Sequence, residues 1–285
     1  MMKAGHTSLQ STLFSNTAYA SQFVDRKRLE DRNALKWSIS NIGLALFAKM
    51  GGTPWRVRAS TERCLIIGIG QAHRLSNGKV LKYLAYSVLT DSSGAYEAIK
   101  VLGQSADRDE YLRDLRENLK QVLLSHKDRY RSFVLHVTFT LRNDELASIR
   151  SLLDELKGLD ESRREFIALK FNDHNAFFGF STHHNSRVPD EGTVARLSSR
   201  EFLIWFSGVG TTDSKAPTKP ERPAHVRVLY PEIPPQIPDI TRILQDAANI
   251  AGANWRGFNA KSMPISVYYA RLIADYYSHF STTGS

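Results

Sequence analysis

The stretch Cys64-Leu-Ile-Ile-Gly-Ile-Gly70 constrains this chain more than any other. Five of the six residues from Cys64 to Ile69 are apolar. A strand with one wet face alternates polar and apolar residues, whereas a continuous apolar run belongs to a strand covered on both faces. Such a strand lies inside a sheet, and the rest of the chain has to supply the layers that cover it. At its polar end, where many α/β enzymes place a catalytic acid, stands Gly70.

The remaining pattern is that of an α/β protein. Leu35, Ile39, Ile42 and Leu46 follow a helical period that stops at Gly51-Gly52. Strands are expected at Leu81–Leu89 and Ala98–Leu102, then a helix carrying Leu112, Leu115, Leu119 and Val122 on one face. Strand Ser132–Phe139 and a helix with Leu146, Ile149, Leu153 and Leu156 follow. Phe166–Phe171 and Phe177–Phe180 read as two strands around the turn Asn172-Asp-His-Asn175. Glu201–Phe206 and Val226–Leu229 are further strands, separated by the Gly- and Pro-rich loop 208–223. Helices over Ile237–Ala251 and Pro264–Phe280 close the chain. The expected architecture is a mixed sheet flanked by helices.

Composition excludes several classes. The single cysteine, Cys64, rules out a disulfide framework and a Cys-based zinc site within the chain. No apolar run approaches the roughly 20 residues of a membrane span, and the first 25 residues lack the pattern of a signal peptide. A cytoplasmic protein is expected. Lys and Arg number 38 against 29 Asp and Glu, a formal charge of +9 that favours a polyanionic partner without proving one.

Several stretches resemble the PIWI domain of prokaryotic Argonaute proteins. Asn41-Ile-Gly-Leu-Ala-Leu-Phe-Ala-Lys-Met-Gly-Gly-Thr-Pro-Trp55 is similar to the family's entry signature, a lysine, an apolar residue and two glycines. Leu65–Ala72, Val134–Thr138 with Glu145 following, Glu201–Gly208, Asn254-Trp-Arg256 and Met263–Ala274 agree in the family's order. The resemblance spans roughly residues 20–280. It implies a ribonuclease-H-like fold over residues 61–285 and, over 1–60, the C-terminal part of a MID-like region with a linker helix.

The same resemblance implies guide-directed binding of nucleic acid. Lys49 matches the lysine that holds the guide's 5′ phosphate, and Gln22 looks like the glutamine that assists it. An ammonium and an amide are suitable donors for a phosphate; read alone, Lys49 is a solvated cation favourable to a helix C-terminus. Arg256 and Lys261, then Arg200 and Arg142, are candidates for contact with the nucleic-acid backbone. A complete MID domain is longer than the stretch of about sixty residues before Cys64, so a partner polypeptide completes the pocket or the chain is a fragment.

Active family members cut their target with two divalent ions held by clustered carboxylates. Where the family has its strand aspartates, this chain has Gly70 and Thr138. The expectation is an inactive nuclease with no catalytic cofactor, leaving magnesium at the guide 5′ phosphate as the one metal in play. Gly70→Asp with Thr138→Asp is then the least change expected to restore metal binding. Inactive relatives imply an effector partner in defence against invading DNA. Two alternatives stand beside this: a nuclease using displaced carboxylates such as Asp91, Asp107, Asp109 or Glu110, and an interaction scaffold without nucleic acid. A metal site at Asp173, His174, His183 and His184, on or beside one expected hairpin, is disfavoured against a polar hairpin end.

Overall fold

A computed structural model describes residues 24, 26–76, 79–138, 141–159, 164–207, 222–233, 237–255 and 261–280. Its strands are β1 (Cys64–Ser76), β2 (Lys79–Asp91), β3 (Tyr96–Ser105), β4 (Ser132–Thr138), β5 (Glu165–Asn172), β6 (Val194–Arg196), β7 (Glu201–Ile204) and β8 (Ala224–Tyr230). Its helices are α1 (Arg26–Glu30), α2 (Arg32–Lys49), α3 (Arg108–Ser125), α4 (Asn143–Leu159), α5 (Ile237–Ala251) and α6 (Ile265–Phe280).

The strands form one mixed sheet in the order β3-β2-β1-β4-β5-β8-β7-β6. β1 pairs antiparallel with β2 and parallel with β4, and β4 pairs parallel with β5. This arrangement, three antiparallel strands followed by two parallel ones, is that of the ribonuclease-H-like fold. β1 is interior, as its continuous apolar run requires. Its alternate residues enter two separate cores. Leu65, Ile67 and Ile69 join Leu115 and Leu119 of α3 and Ile149 and Leu153 of α4. Cys64 and Ile66 join Ile243 and Ala247 of α5 and Ile265 and Val267 of α6.

On that second face the small residues of β1 admit a helix. A Cβ built on Gly68 would fall 2.1 Å from the Ser266 carbonyl oxygen, and one on Gly70 2.2 Å from the Ala270 carbonyl carbon. Ala72 then clusters with Ala274. Ser266, Ala270 and Ala274 are spaced by four residues, about 6 Å of helix rise; Gly68, Gly70 and Ala72 are spaced by two, about 6.6 Å of strand. The two periods nearly coincide, so the small-residue ridge of α6 rides along β1 with main chain against main chain.

The Lys-x-Gly-Gly stretch is a helix stop built from backbone geometry. Gly51 has φ +88°, the left-handed region open to glycine. Its N–H donates to Ala48 O (3.1 Å) and that of Gly52 to Phe47 O (3.0 Å), the paired bonds of a Schellman cap closing α2. The linker beyond it is tied down: Trp55 Nε1 donates to Gly252 O at 3.0 Å, and Ser60 N–H to buried Asp246 Oδ1 at 2.6 Å.

One expected strand is absent. Phe177–Phe180 forms a loop, because β8 already pairs with β5 and Asn175 engages the local backbone. Asn175 Nδ2 donates to Asn172 O (3.0 Å) and Pro223 O (2.9 Å), and its Oδ1 accepts from Phe177 N–H (2.9 Å).

Candidate nucleic-acid interface

The parallel strands β4 and β5 end side by side just past the last β1–β4 pairing, Ile69 with Val137, while β1 runs on to Ser76. A cavity of about 230 Å³ is lined by Thr138 at the end of β4, Phe171 and Asp173 at the end of β5, and Met263, Tyr268 and Arg271 on or before α6. Arg271 Nη1 stands 3.6 Å from Asp173 Oδ2, and His174 Nε2 3.7 Å from Asp173 Oδ1. Lys261 reaches the same rim, its Nζ 4.9 Å from the centre of the Tyr268 ring. That contact is a cation–π pair holding the ammonium at the mouth of the cavity.

Behind the rim, α6 is fastened to β4 through His136. This imidazole is fully buried, pairs through Nδ1 with Ser266 Oγ at 2.9 Å and lies edge-on to Phe171 at 4.8 Å. Burial pushes its pKa down to about 3, so it is neutral at ordinary pH. Beyond it, Glu145 in the first turn of α4 is 0% exposed. Its carboxylate accepts from Tyr111 Oη (2.6 Å), Arg108 Nη1 (3.3 Å), the Arg142 N–H (2.7 Å) and the Gln71 amide. The group is structural: it joins β1, α3 and α4 and leaves no charge of its own unpaired.

The expected site residues divide between these settings. Lys49 is exposed in the last turn of α2, ahead of the glycine cap. Lys261 is at the cavity rim, as above. Arg142 is exposed beyond the end of β4, its main-chain N–H held by Glu145. Arg200 has a different occupation. Its Nε and Nη2 donate to Val228 O at 3.1 and 3.0 Å, and its Nη1 to Glu232 O at 2.8 Å, so the guanidinium ties down the exit of β8. Gln22 and Arg256 lie outside the described residues. Arg271 was not among the sequence candidates, since one arginine in an amphipathic helix resembles a solvated charge; its spacing of three from Tyr268 is the only signal.

Asp91, Asp107 and Glu110, three of the four acids considered as displaced ligands, have local partners. Asp91 accepts from Ser93 N–H (2.9 Å) and Ala95 N–H (3.0 Å) in a turn, and it pairs with Leu65 at the start of β1, whereas Gly70 pairs with Tyr86. Asp107 caps α3 through Glu110 N–H at 2.8 Å, and Glu110 accepts from Ser105 Oγ. His184 Nε2 is 2.6 Å from Asp190 Oδ1. Among the described residues, no group of three or more His, Cys, Asp and Glu is placed to hold a metal, and no helix is long and apolar enough to cross a membrane.

Known proteins agree with this geometry. The Piwi domain family matches residues 5–280. A Piwi protein of Archaeoglobus fulgidus is 24% identical over 279 residues, covering 93% of this chain and 64% of the relative. The argonaute protein of Cereibacter sphaeroides is 21% identical over 272 residues, 87% of this chain and 34% of its own. The chain therefore spans less than two thirds of either relative. Among solved structures, Clostridium butyricum Argonaute bound to a guide DNA and a 19-mer target DNA superposes with TM-score 0.70 over 95% of this chain and 35% of that one, at 16% identity. Aquifex aeolicus Argonaute does so with TM-score 0.69 over 95% and 37%, at 17% identity. With its ribonuclease-H-like sheet and a family match over nearly its whole length, the chain belongs to the Piwi domain family.

Proposed function

We propose that this chain binds a guide and its complementary target and does not cut the target. Family membership supports nucleic-acid binding, and a structural neighbour of matching fold carries both a guide DNA and a target DNA. The observation that carries the second half is the seating of α6 on β1. The place of a side chain on Gly70 is filled by the Ala270 main chain, and Thr138 offers a hydroxyl where a carboxylate would be needed. Two acids line the cavity, Asp173 and Asp275, and Asp173 faces the guanidinium of Arg271. These residues do not fit a two-metal centre. Gly70→Asp with Thr138→Asp does not restore the centre either, since the first substitution has no room for its own Cβ.

Lys49 supplies a cation at the end of α2 for the guide's 5′ phosphate, and Lys261 and Arg271 supply backbone contacts at the rim. The family's other pocket groups come from a MID-like segment or a partner. An effector protein in defence against invading DNA completes the reading, and its identity is set by chemistry outside this chain. The test is binding of a 5′-phosphorylated oligonucleotide. Lys49→Ala should weaken it by about tenfold, the weight of one charge-assisted hydrogen bond, while a 5′-hydroxyl oligonucleotide is unaffected. Equal binding of both oligonucleotides by wild type would remove the phosphate from the proposal.

A further inference from the structure

The loop after β5 presents aromatic rings to solvent in a fixed arrangement. Phe178 and Phe180 are 69% and 60% exposed, and they meet edge-to-face with ring centres 5.5 Å apart. Single exposed apolar side chains are ordinary, but apolar groups that meet in a contiguous exposed patch mark a binding surface. The loop that carries them is anchored at several points. A Cβ on Gly179 would fall 2.6 Å from Trp205 Cζ2, so the backbone between the two rings lies directly on a buried indole. Asn175 staples one end to Asn172 and Pro223, and Ser181 N–H donates to Arg187 O at 2.9 Å at the other. Phe177 is turned the other way, against His225 at 5.5 Å.

We propose that Phe178 and Phe180 form a stacking platform for an unpaired base of the bound nucleic acid. The proposal rests on the nucleic-acid reading above and adds a ligand subsite to it. Position supports it, since the loop leaves β5 at Asn172, next to the cavity rim with Arg271 and Lys261. Charge supports it too. Arg187 is exposed on this loop and Arg222 donates to Asn175 O at 3.3 Å; of the loop's acids, Asp173 and Asp190 face Arg271 and His184, and Glu191 is exposed. Aromatic faces in a cationic setting suit a base of any identity, because every base offers a π-face. An aliphatic protein partner would leave the surrounding cations without a counterpart.

The test uses the full chain with a 5′-phosphorylated guide annealed to two targets, one blunt and one with a short unpaired overhang carrying 2-aminopurine. For Phe178→Ala with Phe180→Ala, affinity for the overhang target should fall by about tenfold or more, with the blunt duplex and the salt dependence unchanged. Phe178→Trp should keep wild-type affinity and show mutual quenching of indole and 2-aminopurine. An unchanged affinity for the overhang target overturns the platform, as it would if the rings instead dock a protein. So does an equal loss on both targets. Failure of wild type to bind either target refutes the nucleic-acid reading beneath it, whereas tight binding indifferent to the rings refutes only the platform.

Discussion

Gly70→Ala isolates the contact on which the inactive reading depends. In open backbone, replacing glycine with alanine stabilises by about 0.4–1 kcal/mol, because the unfolded chain loses freedom. Here the new Cβ would stand 2.2 Å from Ala270 C, 2.3 Å from its O and 2.4 Å from Arg271 N, against 3.4 Å or more for an ordinary contact. The obstacle is helix main chain and cannot swing aside. α6 must therefore retreat by roughly 1.2 Å, the difference between 3.4 and 2.2 Å. Such a retreat strains the Ser266–His136 hydrogen bond and loosens Ala274 from Ala72, Leu84 and Tyr86. Overpacking of this kind costs about 1–3 kcal/mol, at times more; an unyielding backbone places Gly70→Ala near the upper end of that range. Gly70→Asp adds a carboxyl group on a buried face, which costs about another 1–3 kcal/mol when protonated and unpaired and more when ionised. Urea unfolding followed by circular dichroism measures both. A Gly70→Ala variant within about 0.5 kcal/mol of wild type, or magnesium-dependent stabilisation of Gly70→Asp/Thr138→Asp, would refute the seating of α6 and with it the argument against a metal pair.

Two other buried groups give sharp expectations. His136 has a folded-state pKa of about 3, below the ordinary 6.5, so its contribution is fully present above pH 6.5 and is lost as pH falls toward 3. Stability should drop by about 1.4 kcal/mol per pH unit from this group within that window, and His136→Gln should flatten that part of the profile relative to wild type. Glu145→Gln replaces an acceptor of four donors with a group that is itself half donor, and should destabilise by about 3 kcal/mol. Urea titration of that variant, of Arg108→Met and of the double variant checks it: the network predicts a loss in the double variant smaller than the sum of the two, and additive losses would contradict it.

Much of the architecture was legible because burial writes itself into pattern. The unbroken apolar run of β1 fixed its interior position, and the helical spacing of Leu115, Leu119, Ile149 and Leu153 marked the faces that cover it. Ile237–Ala251 was bounded correctly by its own periodicity. Phe177–Phe180 misled because exposed aromatics imitate a strand, while the competition for the edge of β5 is a tertiary fact. β6 is three residues long and too short for any period to register. At the site, the absence of carboxylates at Gly70 and Thr138 could be read directly, but the reason for glycine could not. That reason lies some 200 residues away in Ala270, where the main chain of α6 occupies the space. Arg200 and Arg271 show the same limit in opposite directions. Arg200 has the sequence setting of an available cation and is bonded to carbonyl oxygens, whereas Arg271 has that of a surface charge and lines the cavity.

Guide-directed capture without cleavage is tested most directly by one assay. The chain, with any segment or partner needed to hold the guide, is programmed with a 5′-phosphorylated guide and mixed with end-labelled matched and mismatched targets in magnesium, then in manganese. Retention and length of the target are followed together. Matched target should be retained over mismatched and stay full length in both metals. Guide-dependent cleavage of the matched target, or retention indifferent to the guide's sequence, would contradict it.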